Sequence, residues 1–299
     1  MKKILLAAAI AGAASGTAFA QANDTIAKAK SSGAVTMGVR ESSGALSYTL
    51  GDGKFAGFHV EVCQRILAEL EKQAGRKLEV KYQPVTSQNR IPLVQNGTVD
   101  IECGSTTNNA ARQKDVSFLN TTYVEEVRIA TKANSGIDTI AKLNGKTIAT
   151  TTGTTSVQHL RKHERAAGVD FKEVFGKDHA DSFLLLESGR ADAFVMDGSI
   201  LAGNIANAKN PADFRIVGEV LNVEPIAIMV RKEDAGLKKL GNDVIASLVK
   251  SGEMNKLWDK WFLQPIPPKN IKVGLALSES TKQAWATPND KPMEDYAKK

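Results

Sequence analysis

The chain has 299 residues, a formal net charge of +6, 42% hydrophobic residues and 6% aromatic ones. That is longer than one ordinary domain and ample for a buried core, which favours two lobes. The basic residues are scattered and not interleaved with aromatics, a poor fit to nucleic-acid binding, and no CxxC, HExxH or clustered Cys/His spacing invites a metal.

Met1 to Ala20 reads as an export signal. Lys2 and Lys3 supply the charged start, Ile4 to Ala14 a short apolar stretch, and Ala18, Phe19 and Ala20 an A-x-A cleavage site. The apolar stretch is shorter than the ~20 residues a membrane span needs, and no Cys follows the cleavage point to carry a lipid. The mature chain is expected to be soluble and exported. Cys63 and Cys103 then reach an oxidising compartment, where a bridge between them is allowed and two buried free thiols are the alternative.

Ala34 to Val39 alternates as a first strand and delivers Arg40 at its C-terminal end, where open α/β sheets gather ligands. A plain turn arginine is the other reading. Phe58 to Lys72 is an amphipathic helix and Leu78 to Pro84 a second strand. In Thr86 to Arg112, the spacing of Ile91, Leu93 and Val94 predicts two turns of helix, Asn96 and Gly97 stop it, and Val99 and Ile101 form a strand that Gly104 ends. Ser105, Thr106 and Thr107 follow as hydroxyl donors, with Arg112 near the start of an expected helix. A guanidinium clamps a carboxylate through two parallel charge-assisted bonds, so this stretch reads as an anion site; a solvated helix arginine is the alternative for Arg112. The order β-α-β-α-β argues for a mostly parallel sheet.

Val124 to Thr131 is a strand-like run that would join two lobes, and Ile226 to Val230 is expected to be the return crossing. Between them, the strand Lys146 to Thr150 enters a run of Thr, Gly and Ser ending at Ser156, then the helix Val157 to Ala167. Free N–H groups and the helix dipole make that run an anion cradle, a role compatible with helix capping. His159 and His163 lie one turn apart among Arg161, Lys162 and Arg165, so a solvated basic helix is expected there. His179 to Asp197 repeats the layout of Ser87 to Ser105: Gly189 matches Gly97, Asp192 matches Asp100 and Leu185 matches Leu93 at a constant offset. Two similar lobes are the simplest explanation, a chance recurrence of G-x-x-D the other. In the first case Ser105 and Asp197 end equivalent strands and face each other across a cleft. Leu237 to Lys250 and Met254 to Phe262 are helices, with Trp258 and Trp261 in packing roles, and Pro265 to Lys299 reads as a tail lying across a lobe and frayed at its end.

With these residues in view, the chain from the signal to Pro292 resembles the periplasmic glutamate/aspartate-binding proteins, of the polar amino-acid branch of ABC-transporter receptors. The resemblance rests on TSQNRIPL at 86 to 93 and ECGSTTNN at 102 to 109, which are specific to acidic-amino-acid receptors, with GTTS at 153 to 156, KDHADSF at 177 to 183, LESGRADAFVMD at 186 to 197 and PIPPKN at 265 to 270. It implies an α/β, two-lobe, type II periplasmic-binding-protein fold, each lobe a mostly parallel sheet flanked by helices, joined by two crossover strands. The lobes would be residues 21–127 with 231–299, and residues 128–230. Carried over by position, Arg112 with Thr107 and Thr155 would hold the α-carboxylate, Asp197 with Ser105 the α-ammonium, and Arg40, Ser87, Arg90 and His179 the side-chain carboxylate. The segment Gly44 to Tyr48, at the pocket wall, departs from the family pattern of a Pro and an extra aromatic. The resemblance further implies a periplasmic monomer without cofactor or metal, a glutamate or aspartate ligand, and an ABC-transporter membrane permease as partner. Three arginines and one aspartate suit a guest with two negative charges and one positive. The competing reading is an exported, dehydratase-like amino-acid-processing enzyme on the same scaffold, although no nucleophile with its base is in evidence.

Overall fold

The computed structural model describes residues 24 to 296, so the export signal expected over Met1 to Ala20 lies outside the described residues. Helix α1 (Thr25–Ser32) starts where the Asp24 side chain accepts from the Ala27 N–H, and it feeds β1 (Ala34–Val39), the strand expected from the alternation. Three short strands follow, β2 (Ser42–Ser43), β3 (Ser47–Gly51) and β4 (Lys54–Ala56), in an antiparallel sheet of their own. Strands this short do not show in a periodicity reading. Their one local signal is Asp52 with Gly53, both at positive φ (51° and 69°) as a tight hairpin turn requires.

Helix α2 (Phe58–Ala74) buries Phe58, Cys63, Ile66, Leu67 and Leu70 on one face. Then come β5 (Glu79–Pro84), α3 (Arg90–Gln95), β6 (Ile101–Glu102) and β7 (Val116–Phe118). The helix expected at Arg112 is a single 3-10 turn, Arg112–Lys114. The chain leaves on β8 (Tyr123–Lys132) for a second unit made of β9 (Thr147–Thr151), α4 (Ser156–Ala167), β10 (Lys172–Gly176), α5 (His179–Glu187), β11 (Ala193–Asp197) and α6 (Gly198–Asn207), and returns on β12 (Phe214–Ile226). Strand β13 (Met229–Arg231) and helices α7 (Ala235–Lys250) and α8 (Glu253–Trp258) complete the first unit.

Both five-stranded sheets follow one plan, β5-β1-β6-β13-β7 and β10-β9-β11-β8-β12. The first strand of each is parallel to its two neighbours, and the strand arriving from the other lobe, β13 or β8, is inserted antiparallel. The matched aspartates do the same work in each lobe. Asp100 Oδ2 accepts from the Thr36 N–H at 2.8 Å, and Asp192 Oδ2 accepts from the Thr147 N–H at 2.8 Å, each tying the entry of one strand to the first strand of its sheet. The recurring G-x-x-D is therefore a structural repeat.

The return crossing needs a correction. It is made by the last residues of β12, where Glu224 pairs with Glu125 and Ile226 with Tyr123 of β8, while the run expected to cross supplies β13, packed between β6 and β7. The apolar run is a buried central strand of the first lobe, and the actual hinge is polar. Around it, Trp258 stacks on Phe262 with ring centroids 4.0 Å apart in the largest core, and Trp261 is also buried there. The tail is more structured than expected. After the hairpin β14 (Pro265–Ile266) and β15 (Ile271–Lys272), α9 (Glu279–Ala286) buries Trp285, whose Nε1–H donates to the Thr122 carbonyl at 2.9 Å, and Thr281 Oγ1 accepts from the Val124 N–H at 3.0 Å. A last turn, α10 (Met293–Tyr296), packs along β12. The tail thus lies on both crossover strands.

Cys63 and Cys103 form a disulfide that ties α2 to the end of β6 across 40 residues of sequence. Closing a loop of that size removes unfolded-state entropy worth about 2–4 kcal/mol. Urea titration of the Cys63→Ser, Cys103→Ser double variant is expected to show a loss of that size, and a midpoint equal to that of the oxidised wild type would contradict it.

Candidate functional site

Strand ends carry the site, as the sheet plan dictates. Arg40, at the end of β1, is fully buried. Its Nη1–H donates to Ser105 Oγ at 3.3 Å, and its Nη2 reaches Ser87 Oγ at 3.0 Å, Asp178 Oδ1 at 2.7 Å and His179 Nε2 at 3.1 Å. An arginine only donates, so His179 Nε2 is the acceptor and the ring proton sits on Nδ1, facing Thr151 Oγ1 at 3.0 Å. Burial and the Arg40 charge push the His179 pKa down to about 3, keeping it neutral. Asp178 lies in the second lobe and also accepts from Ser42 Oγ at 2.9 Å; burial raises its pKa, but the charges of Arg40 and His179 overcome that and leave it below the ordinary value.

Arg90 opens α3 and is 2% exposed. Its Nη1–H donates to the Ser105 carbonyl at 3.1 Å, while its Nε has no hydrogen-bond partner. Burial first, then the repulsion of Arg112 and Arg40, lowers its pKa to about 9. Arg112 reaches the Thr107 carbonyl at 2.9 Å and, across the cleft, the Gly153 carbonyl at 3.4 Å. Asp197 is 1% exposed with its Oδ1 unpartnered, and burial together with the Glu125 and Glu224 charges raises its pKa well above the ordinary carboxylate value.

A small cavity of about 180 Å³ lies between these groups. Of the predicted residues, Ser87, Arg90, Ser105, Thr107, Thr155, His179 and Asp197 line it, joined by Thr154 and Met196; Arg40 and Arg112 stand behind that lining. The lobes touch here without room for side chains. Gly153 has φ 81°, and a Cβ on it would stand 2.9 Å from Gln88 Cα in the opposite lobe. Gly44, in the departing segment, packs as closely on Ser199 and Ile200.

Two expectations fail. The pocket does not hold a lone carboxylate: Glu102, Glu125, Glu224 and Asp178 surround the arginines together with Asp197. Glu125 and Glu224 belong to the polar hinge, which the sequence reading places elsewhere. Nor is α4 a solvated basic helix on its inner side. His159 Nε2–H donates to Glu224 Oε1 at 2.7 Å, and His163 Nε2 is 2.8 Å from the Leu221 carbonyl. Ser156, His159, Leu160 and His163 follow the i, i+3, i+4, i+7 spacing of a buried stripe, the signal that could have found them.

A profile of the bacterial extracellular solute-binding proteins, family 3, matches residues 35–264. The chain belongs to that family. The glutamate/aspartate import solute-binding protein of Salmonella typhimurium is 42% identical over 98% of this chain and 99% of its own length. The L-glutamate/L-aspartate-binding protein of Pseudomonas aeruginosa is 43% identical over 90% of each chain. Among solved structures, a mutant of ArgBP from T. maritima aligns with a TM-score of 0.70 at 30% identity, covering 79% of this chain and 98% of that one. The fold is the type II two-lobe fold of the periplasmic binding proteins, and the family is one of receptors, which sets the enzyme alternative aside.

The buried hinge carboxyl gives a pH signature. Burial, opposed by hydrogen bonds from Ser199 and from the Glu126 N–H, lifts Glu125 from 4.5 to about 7. Its pKa is higher folded than unfolded, so the folded state holds the extra proton and this group costs stability progressively as pH rises from about 4.5 to about 7. The melting temperature of ligand-free Glu125→Gln, measured relative to wild type, is expected to climb across that window. A constant difference would contradict the assignment.

Proposed function

We propose that this chain is a periplasmic receptor for L-glutamate and L-aspartate that closes about its hinge and presents the closed form to an ABC-transporter permease. The observation that carries the reading is a complementary pair of unpartnered buried groups in one cavity: the Arg90 Nε donor beside other arginines, and the Asp197 Oδ1 acceptor beside other carboxylates. A cationic end and an anionic end suit a zwitterion carrying one further acid. The names of the relatives in Salmonella typhimurium and Pseudomonas aeruginosa agree with that chemistry.

In this reading Arg112 and the backbone N–H groups of Thr107 and Thr155 take the α-carboxylate, and Asp197 with Ser105 takes the α-ammonium. Arg90, Ser87 and His179 take the side-chain carboxylate, while Arg40, engaged by Asp178, orders Ser87 and Ser105 from behind. The lobes are residues 21–127 with 231–299, and residues 128–230, working as a monomer after export. Each charge-assisted bond contributes ~1.5 to 3 kcal/mol, so a few reach the ~8 kcal/mol of a micromolar complex. Folding has already desolvated the arginines, which leaves the ligand's own desolvation as the main opposing cost. Closure is favoured only by groups that touch both lobes; the Arg40–Asp178 pair at 2.7 Å is one such contact made by the protein itself.

Calorimetry is expected to give glutamate and aspartate at least a hundredfold advantage over glutamine and asparagine, because an amide aims its NH₂ at arginine donors. Arg112→Ala is expected to abolish binding of every amino acid, and Arg90→Ala to erase mainly the preference for acid over amide. Equal binding of glutamate and glutamine by wild type, or equal losses in both variants, would count against the reading.

A further inference from the structure

Glu224 has no place in the ligand set just given, yet it is fully buried at the cleft and engages both lobes. Its Oε2 accepts from Thr107 Oγ1 at 2.5 Å, in the first lobe, and from Thr155 Oγ1 at 2.9 Å, in the second. Its Oε1 accepts from His159 at 2.7 Å and lies 3.5 Å from Asn222 Nδ2. Burial pushes its pKa up, but the bonds from His159, Thr107 and Thr155 overcome that and keep it below the ordinary value, so the group is an ionised, acceptor-only carboxylate at neutral pH.

A hydroxyl has one proton and two lone pairs. With both protons directed to Glu224, the Thr107 and Thr155 oxygens, 3.4 Å apart on the cavity wall, offer the cavity lone pairs alone. Thr155 gives up something for this. It occupies the N-cap of α4 but makes no capping bond, and a capping hydroxyl is commonly worth about 1 kcal/mol.

We propose that Glu224 is a positioning residue which, by taking the protons of Thr107 and Thr155, makes that wall of the cavity an acceptor-only surface selecting an α-ammonium over an α-carbonyl. The inference rests on the acidic-amino-acid reading and deepens it, since the receptor then separates an amino acid from the 2-oxo acid of identical length and charge pattern at its two carboxylates. An oxo oxygen in the place of the ammonium meets lone pairs on Thr107, Thr155 and Asp197, whereas an N–H meets acceptors.

The test measures binding of glutamate and of 2-oxoglutarate by calorimetry. Wild type is expected to favour glutamate by at least a hundredfold. In Glu224→Gln the amide NH₂ donates toward a threonine oxygen and turns that hydroxyl proton into the cavity, so glutamate binding is expected to fall at least tenfold with no matching fall for 2-oxoglutarate. Thr155→Val keeps the Glu224 charge and removes one acceptor, so the ratio is expected to narrow there too, while Thr155→Ser keeps the wild-type ratio; this pair decides the matter if Glu224→Gln does not fold. Parallel losses for both ligands mean a merely structural role and overturn the inference, as does an unchanged ratio in Thr155→Val. Wild type that binds no acidic amino acid sinks the site reading and this inference with it, whereas wild type that binds glutamate with unaltered ratios in the variants sinks the inference alone.

Discussion

Arg40, Arg90 and Arg112 are held close enough for their charges to act on one another inside a contact between two lobes. Guanidinium groups are too basic to shed their protons readily, so their mutual repulsion must be met by anions. The protein supplies part of that charge itself. Asp178 reaches across the cleft to Arg40, and the charges of Glu224, Asp197 and Glu102 favour the protonated form of Arg112. Arg90 is the least compensated, with burial and two positive neighbours against it. The rest of the site is arranged around that imbalance, including the neutral His179 and the hydroxyls of Ser87 and Ser105 that Arg40 holds in place.

The opposite imbalance sits at the other end of the cavity, where Asp197 feels Glu125 and Glu224 from the two hinge strands. Hinge strands carrying facing glutamates link the ligand's charge to the geometry of closure, because the segment that bends also bears charge the ligand answers. The C-terminal tail braces the same strands through Trp285, Thr281 and Met293. A plain apolar hinge would separate the lobes equally well but would have no electrical reason to respond to a zwitterion.

The sheets and long helices were legible because each buries one face: β1, α2, β5, β9 and α7 lie within a residue or two of where periodicity puts them, and the repeat predicts the shared sheet plan. The specific strings TSQNRIPL and ECGSTTNN made most of the cavity lining readable. Glu224 and Glu125 were not, because their importance comes from partners at large sequence separations, such as Thr107 and Thr155 for Glu224 and Ser199 for Glu125. Local composition misled in α4, where exposed Arg161 and Lys162 mask the inward stripe of His159 and His163. It misled again at Ile226 to Val230, where an apolar run that suits a crossing strand belongs to a buried sheet centre. The disulfide turned on a distance that no spacing rule supplies.

The most direct measurement is a crystal structure of the protein grown with glutamate. The account predicts density bridging the lobes, with one carboxylate on Arg112, the other within hydrogen-bond distance of Arg90, and the ammonium on Asp197. Glutamate bound elsewhere, or bound in the cleft with Arg90 and Asp197 turned away from it, would contradict the claim that these two opposed imbalances of charge define the ligand.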